Sequence, residues 1–296
     1  MPDTENYGEK LVDNSGEKSC PRGFHVRGGE NYDWGMKARL SSIFCPKSGN
    51  TVMLAFDHGY IMGPTTGLER LDLAVPPLYD HIDVFMATRG ALRSSISPAT
   101  GKAVALRCTA GSSVLSEDID KEQIGVDIKD AIRMNAACLA VQAYIGSPVE
   151  SMTIGNICTA VDMGYEYGIP VLGVVAVGKQ MERTTKYFQL ATRMLAEFGA
   201  QLVKTYYCED FAKVVNVCPV PLVMAGGKKL PEDQALTMVY KAINEGARGV
   251  DMGRNIFQAE DPAVMCQATR LIVHEGCNDK KAFEFYSDNK NKPIKA

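Results

Sequence analysis

Apolar residues in this chain gather in short runs, and between the runs they recur every three or four positions. The runs are TVMLAFDHG (51–59), DVFMATRG (83–90), AVALRCTAG (103–111), LAVQAYIGS (139–147), PVLGVVAVG (170–178), QLVKTYY (201–207), PLVMAGG (221–227) and RGVDMGRN (248–255). Each has the length and β-branched content of a strand buried on both faces, as in a parallel sheet covered by helices. The intervening segments read as amphipathic helices: TGLERLDLAVPPLYDH, DIKDAIRMNA, VESMTIGNICTAVDMGYEYG, TTKYFQLATRMLAEFG, CEDFAKVVNV, PEDQALTMVYKAINEG and DPAVMCQATRLIVHEG. In EYGIP, EFGAQ and NEGARG a glycine stands just past a helix, where a left-handed residue closes the last turn. The stretch LRSSISPATGKA, after Arg89, lacks this periodicity and is expected to be mostly loop.

Eight strand signals joined by helical crossovers predict an α/β fold, a (β/α)8 TIM barrel with an N-terminal extension. An open doubly wound sheet is the alternative. No linker-like composition divides the chain, so a single catalytic barrel is expected over residues 31–296. Residues 1–30 are polar and read as an arm, either mobile or an oligomer contact.

Composition narrows the class of function. Of 296 residues, 46% are hydrophobic and 23% charged, which suits a globular protein with a sizeable core. A net charge of −3 gives no broad attraction to nucleic acid or to an anionic membrane, and no apolar run suits a membrane span. Nine cysteines, none in a C-x-x-C pair and most within apolar runs, read as reduced thiols, which points to the cytoplasm. Four scattered histidines lack metal-ligand spacing, so no metal is expected.

In such a barrel, function sits at the C-terminal ends of the strands. There the runs turn polar and basic: Asp57-His58-Gly59, Thr88-Arg89, Arg107, Tyr144, Gly178-Lys179, Lys204, Gly226-Gly227-Lys228 and Gly253-Arg254-Asn255. AGGKKLP and DMGRNIF follow the seventh and eighth strands, where barrels often bind phosphate. Gly226, Gly227 and Gly253 let the backbone approach an anion, and Arg254 offers a bidentate fork. Each loop alone could need glycine for turn geometry; two adjacent loops with a cation beside each favour an anion site.

Lys204 is the unusual residue. A free lysine, with a pKa of about 10.4, is neutral in only about one molecule in a few thousand at pH 7, so amine nucleophiles need a pocket that disfavours the ammonium. A lysine in a strand either snorkels, pairs with an acid such as Asp57, or reacts. Its place at the end of strand six, facing the phosphate loops, favours reaction through a Schiff base. Asp57 is the expected proton-transfer partner. His58 is expected to support its loop through hydrogen bonds. Lys179, Lys228 and Lys229 look like substrate-charge partners, and one of Tyr206 and Tyr207 is expected to face the site.

LAFDHGYIMGPTTGLER, QAYIGS, VKTYY, AGGKKLP and GVDMGRNIFQ together resemble the archaeal-type class I aldolase (DhnA) family, with similarity from about Tyr32 to Tyr286. The resemblance implies a (β/α)8 barrel whose Schiff-base lysine matches Lys204, whose first-strand aspartate matches Asp57, and whose phosphate-binding loops match Gly226-Gly227 and Gly253-Arg254. It implies a metal-independent enzyme and a homo-oligomer, a decameric ring in some members. GPTTGLER and KTYY are specific to a thiolase subgroup, which implies coenzyme A as co-substrate and cleavage of a phosphorylated pentane-dione to acetyl-CoA and dihydroxyacetone phosphate, a step in autoinducer-2 processing. His58, Arg107, Lys179 and Tyr206 are then the candidates for further contacts to substrate or coenzyme A. One departure matters: VVAVGKQ carries no tyrosine where the family's sugar-bisphosphate aldolases have an acid/base group at the end of strand five. A sugar-phosphate aldolase without coenzyme A, a transaldolase-like synthase and a non-catalytic sugar-phosphate binding barrel remain as other readings of the same residues.

Overall fold

Alternation within the eight apolar runs builds a closed ring. In this computed structural model, which describes residues 23–177 and 181–292, the ring strands are β1 (Thr51–Ala55), β2 (Val84–Ala87), β3 (Ala103–Arg107), β4 (Cys138–Tyr144), β5 (Val171–Ala176), β6 (Leu202–Tyr206), β7 (Leu222–Ala225) and β8 (Gly249–Met252). Each pairs in parallel with the next in the chain, and β1 pairs with β8 to close the barrel. A short antiparallel pair, Thr109–Ala110 with Gln123–Ile124, stands above β3.

Two apolar layers hold the ring. Outward-facing residues such as Val203, Leu222, Val250 and Met252 pack with the helices in one buried cluster. Inward-facing residues, among them Met53, Met86, Ala105, Cys138, Leu172 and Leu202, form a second. The helix Trp34–Ile43 joins the inner cluster through Met36, Leu40 and Ile43, which plugs the barrel at one end. Chemistry is left to the opposite end.

Most of the helices fall where the periodicity put them, including Glu150–Tyr167, Thr185–Glu197, Glu232–Asn244 and Pro262–Glu275. Gly168, Gly199 and Gly246, expected beyond helix ends, take φ values of 64°, 96° and 104°. Two segments differ from expectation. The stretch LRSSISPATGKA is loop only in part: residues 92–95 end a helix, Arg89–Ser95, with Thr88 Oγ1 accepting from the Ala91 N–H as its cap, and Pro98–Thr100 form a 3-10 turn. TGLERLDLAVPPLYDH is not one helix but a short turn, Leu71–Ala74, followed by a 3-10 segment, Pro76–His81. Pro76 and Pro77 lack the N–H that an α-helix would need. Within the expected arm, Val26 is buried and His25 Nε2 lies 3.1 Å from the Phe44 carbonyl oxygen, so that part packs on the barrel.

Candidate active site

The period of two that hides Val203 and Thr205 among the helices turns Leu202, Lys204 and Tyr206 into the barrel. Lys204 sits between Val174 of β5 and Val223 of β7 in register. The same alternation aims Asp251 inward from β8, where its side chain is fully buried. Lys204 Nζ and Asp251 Oδ2 are 2.9 Å apart, and Nζ also lies 3.3 Å from the Met86 sulfur. The contact with Asp251 lacks hydrogen-bond angles, which leaves both Asp251 oxygens without a hydrogen-bond partner among the described residues. Burial raises the Asp251 carboxyl above the usual carboxylate range, against the pull of Lys204.

Asp57 follows β1 into the same space but belongs to another pair. Its Oδ2 accepts from Arg107 Nε at 2.8 Å and lies 2.8 Å from the same guanidinium's second nitrogen. Burial pushes the Asp57 carboxyl up, but Arg107, Lys204 and His58 together outweigh it and hold the group below the usual range. Asp57 is thus a fixed anion, whereas Asp251 is the carboxylate in contact with the amine. His58 makes no side-chain hydrogen bond among the described residues, so it does not support its loop as expected. Its ring instead stands edge-on to Phe257, and burial lowers its pKa.

A cavity of about 200 Å³ lies above these groups. It is lined by Asp57, His58, Arg107, Lys204, Tyr206, Gly226, Gly227, Gly253 and Arg254, together with Tyr60, Gln142, Val174 and Asp251. Lys204, Asp57, the three loop glycines, Arg254, His58, Arg107 and Tyr206 are therefore in one place, whereas Thr88, Tyr144 and Lys228 are not part of this lining and Lys179 lies outside the described residues. Tyr206, not Tyr207, faces the cavity; the Tyr207 hydroxyl donates to Glu245 at 2.7 Å. Two other expectations fail: Lys229 is tied to Glu232 at 2.7 Å, and Arg89 is paired with Asp130 at 3.1 Å.

The glycine loops close the cavity above β7 and β8. Gly227 has a φ of +69°, which side-chain-bearing residues rarely adopt. A Cβ at Gly253 would stand 2.5 Å from the His58 ring and 2.6 Å from the Ala55 carbonyl oxygen. Buried Asn255 stitches the two loops: its Nδ2 donates to the Gly226 and Lys228 carbonyls, and its Oδ1 accepts from the Leu230 N–H at 2.7 Å. The Arg254 Nε is buried without a hydrogen-bond partner among the described residues. Arg183, which the motif reading passed over, stacks its guanidinium 4.0 Å from the Tyr206 ring and close to Gly227. The arrangement suits a phosphate at the loops and a carbonyl carbon at Lys204.

A second network runs along the other wall. Buried Glu122 accepts from the Tyr60 hydroxyl at 2.8 Å and from Gln142 Nε2 at 3.0 Å, while Gln142 Oε1 accepts from Arg107 at 3.3 Å. Sequence reasoning missed Asp251, Gln142 and Glu122. Asp251 and Gln142 lie in runs read as strand core, and Glu122 lies in a loop without motif. Among the described residues, no three His, Cys, Asp or Glu side chains cluster as metal ligands would, and no helix is long and apolar enough to cross a membrane.

Residues 51–259 match the family model described as DeoC/LacD family aldolase. A protein of Enterobacter sp. (strain 638) called 3-hydroxy-5-phosphonooxypentane-2,4-dione thiolase is 53% identical over 268 residues, 90% of each chain. One of the same name from Klebsiella pneumoniae is 52% identical over 92% of each. A protein of Pasteurella multocida called an uncharacterized aldolase is 51% identical over 91% of this chain and 93% of its own. Among solved structures, a Schiff-base-forming fructose-1,6-bisphosphate aldolase superposes with a TM-score of 0.74 at 21% identity, covering 80% of this chain and 99% of that one. At that identity the likeness speaks for the barrel alone. The family match over most of the barrel and relatives above half identity lead to one conclusion: the chain belongs to the DeoC/LacD aldolase family.

Proposed function

We propose that this protein is a metal-independent, Schiff-base thiolase that cleaves 3-hydroxy-5-phosphonooxypentane-2,4-dione with coenzyme A. The observation that carries the reading is Lys204 Nζ, 2.9 Å from a buried carboxylate of raised pKa at the floor of a pocket that ends in glycine loops. The names of the relatives supply the substrate.

The phosphate docks on the backbone of Gly226, Gly227 and Gly253 and on Arg254. This brings the adjacent ketone carbon to Lys204, whose amine adds and loses water to give an iminium. Asp251 takes and returns the protons of that condensation, and a carboxylate of raised pKa suits the task. The coenzyme A sulfur then bonds to the acetyl carbonyl carbon and gives up its proton. The carbon–carbon bond to the hydroxyl-bearing carbon breaks, and its electron pair flows into the iminium as an enamine. That carbon takes up a proton, and water releases dihydroxyacetone phosphate from Lys204. Asp57, held by Arg107, supplies fixed negative charge opposite the cationic nitrogen.

Val174 bears on the choice of reaction. It stands beside Lys204 on β5 and brings no acid or base to the amine, which supports thiolysis over aldol cleavage of a sugar bisphosphate. The eight described cysteines are free, in keeping with a reducing cytoplasm. A homo-oligomer, a decamer by the family likeness, completes the proposal, with the exposed Trp34 as a contact. Borohydride reduction with dihydroxyacetone phosphate tests the Schiff base: the adduct belongs on the peptide containing Lys204. An undiminished adduct in Lys204→Ala would move the nucleophile elsewhere.

A further inference from the structure

A second cavity, about 480 Å³, opens beside the first and shares Gln142, Val174 and Tyr206 with it. Its volume is within the roughly 300–1,000 Å³ usual for small-molecule sites. It lies over β4 and β5, whereas the glycine loops follow β7 and β8, and Lys204 on β6 stands between them. Around the ring the order is therefore phosphate loops, amine, second cavity. A phosphorylated diketone with its phosphate at the loops and its ketone on Lys204 directs its acetyl end toward this second space.

The walls and the rim differ in chemistry. Val174, Ala176, Val177, Met181, Ile119 and Val149 make much of the wall apolar, and Gln142 and Tyr144 bring polar groups to it. Among the described residues the rim is acidic: Glu117, Asp118 and Asp120 stand there against Lys121, which is already paired with Asp118 at 2.8 Å. A neutral, amide-bearing chain suits such walls. A phosphate-bearing nucleotide does not suit such a rim, because like charges repel.

We propose that the second cavity is the entry slot for the pantetheine arm of coenzyme A, with the nucleotide left outside the acidic rim. This rests on the thiolase reading and adds to it where the thiol arrives and which part of its carrier the protein holds. The sulfur reaches the acetyl carbon past Val174 and Gln142, from the side away from the phosphate loops. The rim makes the nucleotide an electrostatic burden, so pantetheine, which lacks the nucleotide, serves as a competent thiol.

The test compares coenzyme A with pantetheine in wild type, Ala176→Phe and Glu117→Lys. Ala176 is two residues beyond Val174 on the same strand face, and a phenyl ring there narrows the slot. Its KM for both thiols should rise about tenfold or more, the scale on which one misfitting group costs affinity. Borohydride trapping of dihydroxyacetone phosphate should be unchanged. Glu117 is exposed, so Glu117→Lys keeps the fold. It should lower the KM for coenzyme A roughly two- to fivefold at low salt, an effect that salt erases, and leave that for pantetheine unchanged. If wild type makes acetyl-CoA but Ala176→Phe keeps its KM for both thiols, the slot assignment is wrong and the thiolase reading survives. Equal effects of Glu117→Lys on both thiols would overturn the assignment of the nucleotide to the outside. A wild type that traps the ketone but never forms a thioester would overturn the thiolase reading and the slot with it.

Discussion

At the scale of single residues, the site is built from two carboxylates whose surroundings push them in opposite directions. Asp57 is kept below the usual carboxylate range by Arg107 and its neighbours, while burial raises Asp251 beside Lys204. Of the two, Asp251 touches the amine and has its carboxyl raised, so it is the one suited to exchange a proton with Lys204. Asp251→Asn should therefore lower kcat by roughly 10²–10⁴-fold, the usual worth of general acid–base help. The pH profile carries the sign. Asp251 accepts a proton only when ionised, so activity falls as pH drops through its raised pKa. That acid limb should be missing in Asp251→Asn; the same limb in the variant would assign it to another group. Lys204 was legible because a cation in an apolar strand calls for a reason. Asp251 was not, since GVDMG reads as one strand and only the closed ring shows which β8 residue faces β6.

At the scale of elements, two devices position the chemistry. The first is the pair of loops after β7 and β8, joined through Asn255. Arg254→Ala removes a charged donor, worth about 1.5–3 kcal/mol, and should raise the substrate KM about 10- to 100-fold. An unphosphorylated analogue should lose far less, and equal losses on both would make Arg254 merely structural. The glycines of these loops were readable from AGGKK and DMGRN, but the Asn255 stitch was not, because its partners at Gly226, Lys228 and Leu230 are remote in sequence. The second device is Asp83, just before β2, which accepts from the Val52 N–H at 2.7 Å and meets Arg270 and His274 at 3.0 and 2.8 Å. It ties β1 and the helix Pro262–Glu275 together. Burial raises its carboxyl, but His274, the Val52 N–H and Arg270 together bring it below the usual range. Asp83→Asn should cost about 1–3 kcal/mol in urea unfolding near neutral pH. A depressed folded pKa gives stability that is present above the unfolded value of about 3.9 and lost as pH falls through the folded one. The gap between wild type and variant should accordingly hold down to about pH 4 and close below it. A gap that stayed constant into strong acid would remove Asp83 as a charged tie.

At the scale of the whole molecule, the barrel was legible because eight runs of buried-strand type alternate with helical periodicity. The helix after β2 was not, because its apolar face is reduced chiefly to Leu92 and a side-chain cap does the rest. The plug helix Trp34–Ile43 escaped notice as an element, since its role depends on an open barrel end. The closed ring gathers residues from most of its strands above one lysine, and the family it belongs to fixes the frame but not the bond that breaks. The central claim is that this bond is cut by a thiol. The direct measurement is product formation from the phosphorylated pentane-dione with and without coenzyme A, with fructose 1,6-bisphosphate as a parallel substrate. Acetyl-CoA and dihydroxyacetone phosphate should form in equal amounts only when coenzyme A is present, with feeble turnover of the bisphosphate. Bisphosphate cleavage at ordinary enzyme rates, with the diketone indifferent to coenzyme A, would contradict that claim.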